Sequence, residues 1–453
     1  MIELLMHTLE QLRSGELKGL RRLKLSCGLT DFPREIFSLS DTLEILDLTG
    51  NHLSSLPDDL EQLTKLKVIF CSQNQFTQLP AVLGRCHSLT MVGFKSNQIV
   101  DVPAESLPAR LRWLILTDNC IQALPESIGQ CSDLQKLMLA GNQLTNLPDS
   151  LARCHRLELA RIAANQLKAL PEWLISLPRL TWLAFAGNPF IEQLEAQALK
   201  TSMAGINWHQ LEVNELLGEG ASGLIYRASL SLGQKTFPVA VKLFKGAMTS
   251  DGSPLCEMAS IMKAGQHSAL TQTLGRIQHH PASVDGLVMK LIPNNFINLA
   301  GPPSLESCTR DVYSEDRKFS TSVLFQIAGT IADAIRHLHQ QGVMHGDLYA
   351  HNILITSSGD ALLSDYGAAS FFYVTDPNQS AKLQRLEVRA FGCLLEELTE
   401  RCDDLNDQVR VELEALAFDC QHRDIMARPT FDKICNILSQ VQSGTESSIK
   451  RQY

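Results

Sequence analysis

His345-Gly346-Asp347-Leu348-Tyr349-Ala350-His351-Asn352 leads into the apolar triplets Ile353-Leu354-Ile355 and Ala361-Leu362-Leu363, and then into Asp365-Tyr366-Gly367. The triplets read as two short strands joined by the polar turn Ser357-Ser358-Gly359-Asp360. On that reading Asp347 and Asn352 share a loop before the hairpin and Asp365 comes after it, so three oxygen-bearing side chains converge. Carboxylate and amide oxygens arranged this way suit Mg²⁺, a hard cation that keeps a nucleotide's phosphates among its partners. Two such ligands plus one spare aspartate are what phosphoryl transfer from ATP requires, the spare carboxylate orienting the attacking hydroxyl. The plainer alternative is turn chemistry, because Asp and Asn favour turns for their own sake.

The rest of the second half decides between these. Upstream lie Gly218-Glu219-Gly220-Ala221-Ser222-Gly223, then Val239-Ala240-Val241-Lys242, then Glu257. A lone glycine pattern of this kind could open a dinucleotide fold, but that needs a strand–helix crossover and an acid roughly 20 positions on. Here a second apolar strand carrying Lys242 comes next instead. The octapeptide resembles the catalytic loop of eukaryotic-type protein kinases, H-R-D-L-x-x-x-N, with Gly346 in place of arginine. Asp365-Tyr366-Gly367 resembles D-F-G, the glycine segment resembles the kinase glycine-rich loop, and Val239–Lys242 resembles V-A-I-K. Glu387–Gly392 with Leu394–Leu398 resembles the central helix of the larger kinase lobe, and Arg428-Pro429-Thr430 its late turn.

The resemblance implies ATP and Mg²⁺ as cofactors, and roles for individual residues. Asp347 is the implied catalytic carboxylate, Lys242 the phosphate-holding base positioned by Glu257, and Asn352 and Asp365 the Mg²⁺ ligands. The nucleotide cleft is implied at Leu217, Gly218, Gly220, Gly223, Ile225, Ala240, Met289, Leu291 and Leu354, the glycines letting backbone amides approach the phosphates. Departures accompany it. Gly346 removes the arginine that grips a phosphorylated activation loop in many kinases. There is no A-P-E motif, and about twenty residues separate Asp365 from Glu387. Tyr349 and His351 occupy positions where serine/threonine and tyrosine kinases carry their distinguishing cations, so the hydroxyl class stays open, with serine/threonine favoured as the commoner class. A catalytically weak pseudokinase scaffold is the alternative, and a kinase-fold enzyme acting on a small molecule a second.

The first half repeats. Leu43-x-x-Leu46-x-Leu48-x-x-Asn51-x-Leu53 recurs with asparagines at 74, 97, 119, 142, 165 and 188, and a proline falls six residues beyond each of the first six, Pro57 to Pro171. The period resembles the leucine-rich repeat, in which one strand per unit buries its leucines only by stacking on neighbours. The asparagine column reads as structural, bonding the backbone of neighbouring turns. Strand positions between the leucines project onto the concave face. One column there reads Arg22, Ile45, Val68, Met91, Trp113, Lys136, Leu159, Trp182, and the next includes Phe70, Ile115 and Met138. Ile45, Phe70, Met91, Trp113, Met138 and Trp182 are therefore the expected protein-binding residues, for a partner or for the chain's own second half.

These modules give two domains, an α/β leucine-rich-repeat solenoid and then an α+β bilobal kinase-like domain. The expected boundaries are a capping helix over 1–19 on the stripe Leu4, Leu5, Leu9 and Leu12, repeats over 20–200, the kinase-like domain over 209–440, and a polar, disordered tail over 441–453. A net charge of −9 over 453 residues argues against a nucleic-acid binder. No apolar run is long enough to span a bilayer and the N-terminus is not a secretory signal. The 12 cysteines lie singly, without C-x-x-C pairs, which fits reduced thiols in the cytoplasm. Nothing in the sequence indicates an oligomeric state.

Overall fold

A computed structural model of the chain describes residues 6–449 apart from 201–202, 221, 246–247 and 250. The chain forms two compact units, Met1–Leu180 with Asn188–Phe190, and Thr181–Gly187 with Ile191–Tyr453.

The first unit opens with helix α1, Leu9–Arg13, started by a capping box between Thr8 and Gln11 and burying Leu12. It is shorter than the stripe implied: Gly15 and Gly19 take positive φ directly after it, and Leu4 and Leu5 lie outside the described residues. Strands come next at β1 (Arg22–Lys24), β2 (Ile45–Asp47), β3 (Val68–Phe70), β4 (Met91–Gly93), β5 (Trp113–Ile115), β6 (Lys136–Met138) and β7 (Leu159–Arg161), paired parallel in chain order, while the next strand, β8 (Trp182–Ala184), falls in the second unit. The ladder pairs Arg22, Ile45, Val68, Met91, Trp113, Lys136 and Leu159 in one row, as the spacing predicts.

Each strand's central residue, from Leu23 through Leu46, Ile69, Val92, Leu114 and Leu137, is buried against the next turn. Burial of one such leucine contributes about 1.5–3 kcal/mol. The repeat prolines end the extended segment: Pro80, Pro103, Pro125 and Pro148 each cap a 3-10 turn, where a fixed φ and a missing N–H cost nothing. The asparagines bond neighbouring turns as expected. Asn142 Oδ1 accepts the Ile121 N–H at 3.0 Å while its Nδ2 donates to the Leu116 and Leu139 carbonyls at 2.9 and 3.0 Å.

The second unit takes in β8, helix α2 (Glu192–Leu199) and strand β9 (Gly205–Asn207) before the kinase-like motifs begin. Thr181–Gly187 belongs to this second compact unit, while Asn188–Phe190 belongs to the first. A six-stranded sheet is formed by β10 (Leu211–Glu219), β11 (Gly223–Leu232), β12 (Lys235–Phe244), β13 (Thr273–Gln278) and β14 (Gly286–Lys290) with β9, in the order β10-β11-β12-β14-β13-β9. Helix α3, Pro254–Ala264, is started by Ser253 and Pro254 and packs against α2.

The helical part contains β15 (Ile297–Asn298), α4 (Thr321–Gln340), β16 (Val343–Met344), β17 (Ile353–Ile355), β18 (Ala361–Leu363), β19 (Ser370–Phe371), α5 (Pro377–Glu400), α6 (Asp407–Cys420) and α7 (Phe431–Ile449). In α4, Leu324, Ile327, Ala328, Ile331, Ile335 and Leu338 recur at helical spacing and are fully buried. Helix α7 runs on to Ile449, in place of the disordered tail expected from 441, and its last buried residue among those described is Val441, in line with Ile434 and Leu438. Residues 450–453 lie outside the described residues.

Candidate active site

Strands β10 and β11 are joined by the glycine loop, closed by a Gly220 N–H to Gly223 carbonyl bond of 2.9 Å. The three glycines serve different ends. A Cβ on Gly223 would stand 2.5 Å from the Leu243 carbonyl, so packing demands glycine there. Cβ atoms on Gly218 and Gly220 would meet nothing within 4 Å. Those two glycines leave an open approach to their backbone, as a phosphate chain requires.

The next strand, β12, carries Lys242. Its ammonium pairs with Glu257 in the first turn of α3, and both side chains are buried. Burial pushes the Glu257 carboxyl up, Asp365 adds to that, and the Lys242 charge pulls it back. Removing either partner would strand the other in a poorly solvated site, a cost of about 3–5 kcal/mol for a buried pair.

Below, β17 and β18 pair antiparallel, Ile353 opposite Leu363, as the apolar triplets predict. The Asn352 amide nitrogen donates to the backbone and side-chain oxygens of Asp347, both at 2.9 Å, which turns its carbonyl oxygen away from Asp347. The Asn352 main-chain carbonyl accepts from the Ser364 backbone and hydroxyl, each at 2.9 Å, so the loop is tied to the residue before Asp365. Asp365 itself adopts φ of +58° and accepts the Gly367 N–H at 3.0 Å. His345 anchors the same join through a 3.0 Å contact from its ring nitrogen to the Ser364 carbonyl.

These parts enclose a cleft of about 420 Å³. It is lined by Leu217, Gly220, Gly223, Ile225, Ala240, Lys242, Glu257, Met289, Leu291 and Leu354 together with Asn352 and Asp365. Gly218 and Asp347 are absent from its lining. Asp347 is instead held at its edge through the bond to Asn352. The donor set suits Mg²⁺, because Asn352 and Asp365 both line the cleft and both carry hard oxygens. Among the described residues no cluster of three or more His, Cys, Asp or Glu could hold a metal ion. Phosphate oxygens and water are the partners such an ion commonly adds to two protein ligands.

Two supports are not legible in the sequence. Glu387 on α5 accepts the Gly346 N–H at 2.8 Å and contacts His339 Nε2 at 2.7 Å. Its motif marks the helix, but nothing in it announces the job of tethering the loop. Asp311 contacts His351 Nδ1 at 2.7 Å and accepts its backbone N–H at 3.0 Å, and no local pattern signals it. Burial opposes charge on His351, but the Asp311 bond and charge, with Asp347 and Asp365 adding, raise its pKa above the ordinary histidine value. Gly346 explains the missing arginine: its φ is +74° and a Cβ would lie 2.4 Å from the Ala368 carbonyl.

The expected protein-binding residues fare differently. Trp182 is 2% exposed, its indole N–H donating to the Leu348 carbonyl at 2.9 Å. Met91 is buried as well. Ile45, Phe70, Trp113 and Met138 are half-buried; Lys136 lies over the Trp113 ring at 4.4 Å, and the Trp113 N–H points to Met138 Sδ at 3.2 Å.

Residues 211–401 match the protein tyrosine and serine/threonine kinase family, and residues 42–63 match the leucine-rich repeat. Among curated relatives the chain is 27% identical over 180 residues to Activated Cdc42 kinase-like of Drosophila melanogaster, covering 38% of this chain and 13% of that one. It is 22% identical over 178 residues to human serine/threonine-protein kinase TNNI3K (38% and 19% covered). It is 29% identical over 178 residues to the rat megakaryocyte-associated tyrosine-protein kinase (38% and 34% covered). The matches thus span at most 34% of these relatives' own length. Among solved structures, a leucine-rich-repeat protein of Leptospira interrogans aligns over 40% of this chain and 52% of its own, with 27% identity and a TM-score of 0.34. No helix among the described residues is long and apolar enough to cross a membrane. The chain joins leucine-rich repeats to a domain of the protein tyrosine and serine/threonine kinase family.

Proposed function

We propose that the second unit is an ATP-dependent protein kinase that transfers the γ-phosphoryl group to a protein hydroxyl, with serine and threonine the favoured acceptors. The observation that supports this best is that the Lys242–Glu257 pair lines one cleft with Asn352 and Asp365, Asn352 being bonded in turn to Asp347. A scaffold has no need to keep a buried ion pair whose halves are costly to hold apart. When bound, Mg²⁺ neutralises charge on the transferring phosphoryl group, and Asn352 and Asp365 would hold it. Lys242, oriented by Glu257, holds the α- and β-phosphates. Leu217, Ile225, Ala240, Met289, Leu291 and Leu354 form the walls around adenine. Asp347, fixed by the Asn352 amide, accepts the proton of the attacking hydroxyl.

Only a short stretch separates Asp365 from Asp376, the cap of α5, so the segment that shapes a peptide groove in this fold is reduced. We assign recruitment of the protein substrate to the repeats, through Ile45, Phe70, Trp113 and Met138, and locate the protein in the cytoplasm. The test is labelled γ-phosphate transfer to the protein itself and to generic protein substrates, with Asp347→Ala and Lys242→Met alongside. Label that falls by about 10²-fold or more in both variants supports the reading. Nucleotide binding without transfer would make this a pseudokinase scaffold, and label found only on small molecules would make it a metabolite kinase.

A further inference from the structure

Strand β8 is three residues long, yet it touches the site's two loops at several points inside the second unit. The Trp182 indole donates to the Leu348 carbonyl at 2.9 Å, and its ring stacks on Tyr349 with centroids 4.1 Å apart and planes 9° from parallel. The Leu183 carbonyl occupies the space a side chain on Gly346 would need, 2.8 Å from its Cβ position. The Phe185 N–H donates to the Ser370 hydroxyl at 2.9 Å, beyond Asp365-Tyr366-Gly367. This strand and the residue after it therefore bond the loop just after Asp347, lie close against Gly346 just before it, and bond the segment after Asp365.

We propose that Trp182 is a positioning residue for phosphoryl transfer, holding the Asp347–Asn352 loop in its working conformation from behind. This rests on the reading of the second unit as a kinase. Leu348 and Tyr349 are the two residues after Asp347, and the Tyr349 carbonyl accepts the Asn352 N–H at 3.1 Å. Fixing these two residues sets the span that carries both Asp347 and Asn352. The carbonyl of Leu348 is one of the buried polar groups that must find a donor, and the indole supplies it. The stack adds an aromatic contact on a residue that is itself 5% exposed. Where Gly346 has removed the arginine through which a phosphorylated segment could order the loop, this strand does the ordering permanently. Displacements of about 1 Å at a reacting group cost on the order of 10²-fold in rate.

The experiment compares the full chain with Trp182→Ala and Trp182→Phe, reading peptide-level hydrogen exchange and steady-state phosphoryl transfer. In Trp182→Ala, amides of 347–352 are expected to exchange at least about ten-fold faster while those of α4 stay as protected as in the parent. The accompanying loss is about 10²-fold in kcat, with the KM for ATP within about two-fold, because other strands build the adenine walls. Trp182→Phe keeps a ring on Tyr349 but loses the N–H, and is expected to recover most of both losses. Should Trp182→Ala fail to fold, Trp182→Phe and Tyr349→Leu carry the comparison. Unchanged loop exchange in folded variants overturns the proposal, as does faster exchange spread evenly over α4 and the loop. A parent that transfers no phosphate overturns the kinase reading alone, since loop exchange still decides the positioning role.

Discussion

Replacing Gly346 with alanine should damage the protein far more than a one-carbon change suggests. The backbone sits at φ +74°, a conformation that costs an L residue about 1–2 kcal/mol. The new Cβ would stand 2.4 Å from the Ala368 carbonyl oxygen and 2.8 Å from that of Leu183, both main-chain atoms that cannot swing aside. Overpacking of that kind costs about 1–3 kcal/mol, and the reduced freedom of the unfolded chain returns about 0.4–1. The net loss is about 2–4 kcal/mol, which for a domain of this size lowers the melting temperature by about 5–15 °C. Gly233→Ala is the matched control, with φ +63° and nothing within 4 Å of its Cβ, so only the backbone cost applies and the shift stays near 3 °C or below. Thermal unfolding tracked at protected amides of α4 reads both variants in the same unit. Equal shifts would refute the reasoning, because the difference between the two is the steric cost alone. On the same grounds Gly346→Arg, which restores the residue common in the family motif, is expected to inactivate.

Single interactions elsewhere carry three more expectations. Asn142→Ala removes bonds to Ile121, Leu116 and Leu139 in a buried site, and should cost about 3 kcal/mol or more in denaturant unfolding of the repeats, at about 1–3 kcal/mol per stranded group. Asp311→Ala releases both the ring and the backbone of His351, and is expected to lower kcat about ten-fold or more without loss of fold, read by phosphoryl transfer alongside circular dichroism. Glu195 lies between α2 and α3, where burial raises its carboxyl above the ordinary 4.5 while Gly187 and Cys256 pull it part of the way back. The folded state then binds the proton more tightly than the unfolded chain, so stability is full below about pH 4.5 and falls as pH rises through the folded pKa. Glu195→Gln should therefore be the more stable protein at neutral pH, with the gap closing as pH drops; a gap that widens on acidification would count against this.

Much of the molecule is legible in the sequence because it is periodic or local. The asparagine column announces the parallel ladder, and the apolar triplets announce β17 and β18 with their register. The cleft residues sit on motifs whose spacing is dictated by the phosphate chain they would face, so Lys242, Glu257, Asn352 and Asp365 can be named without any geometry. The hidden part depends on contacts between segments far apart in the chain. Asp311 reaches His351 across 40 residues and Trp182 reaches Leu348 across 166. Trp182 reads as an exposed anchor because alternation reports which face a side chain takes, not what later covers that face. The helical tail is masked by its serines, which dilute the stripe of Ile434, Leu438 and Val441.

Strand β9 has a practical consequence for anyone cutting this chain. Family matching begins at residue 211, yet the compact body that holds the cleft begins at Thr181, about thirty residues earlier. Gly205–Asn207 closes the open side of β13, pairing Arg276, Ile277 and Gln278, and the Arg276 N–H is met by the Ala204 carbonyl. A fragment trimmed to the family boundary would bare a row of unpaired main-chain groups, the template on which sheets grow into aggregates. It would also discard α2 from its seat on α3. Swapping this kinase-family module between proteins at the boundary of its family match would therefore fail because of the bared sheet edge, whatever its chemistry.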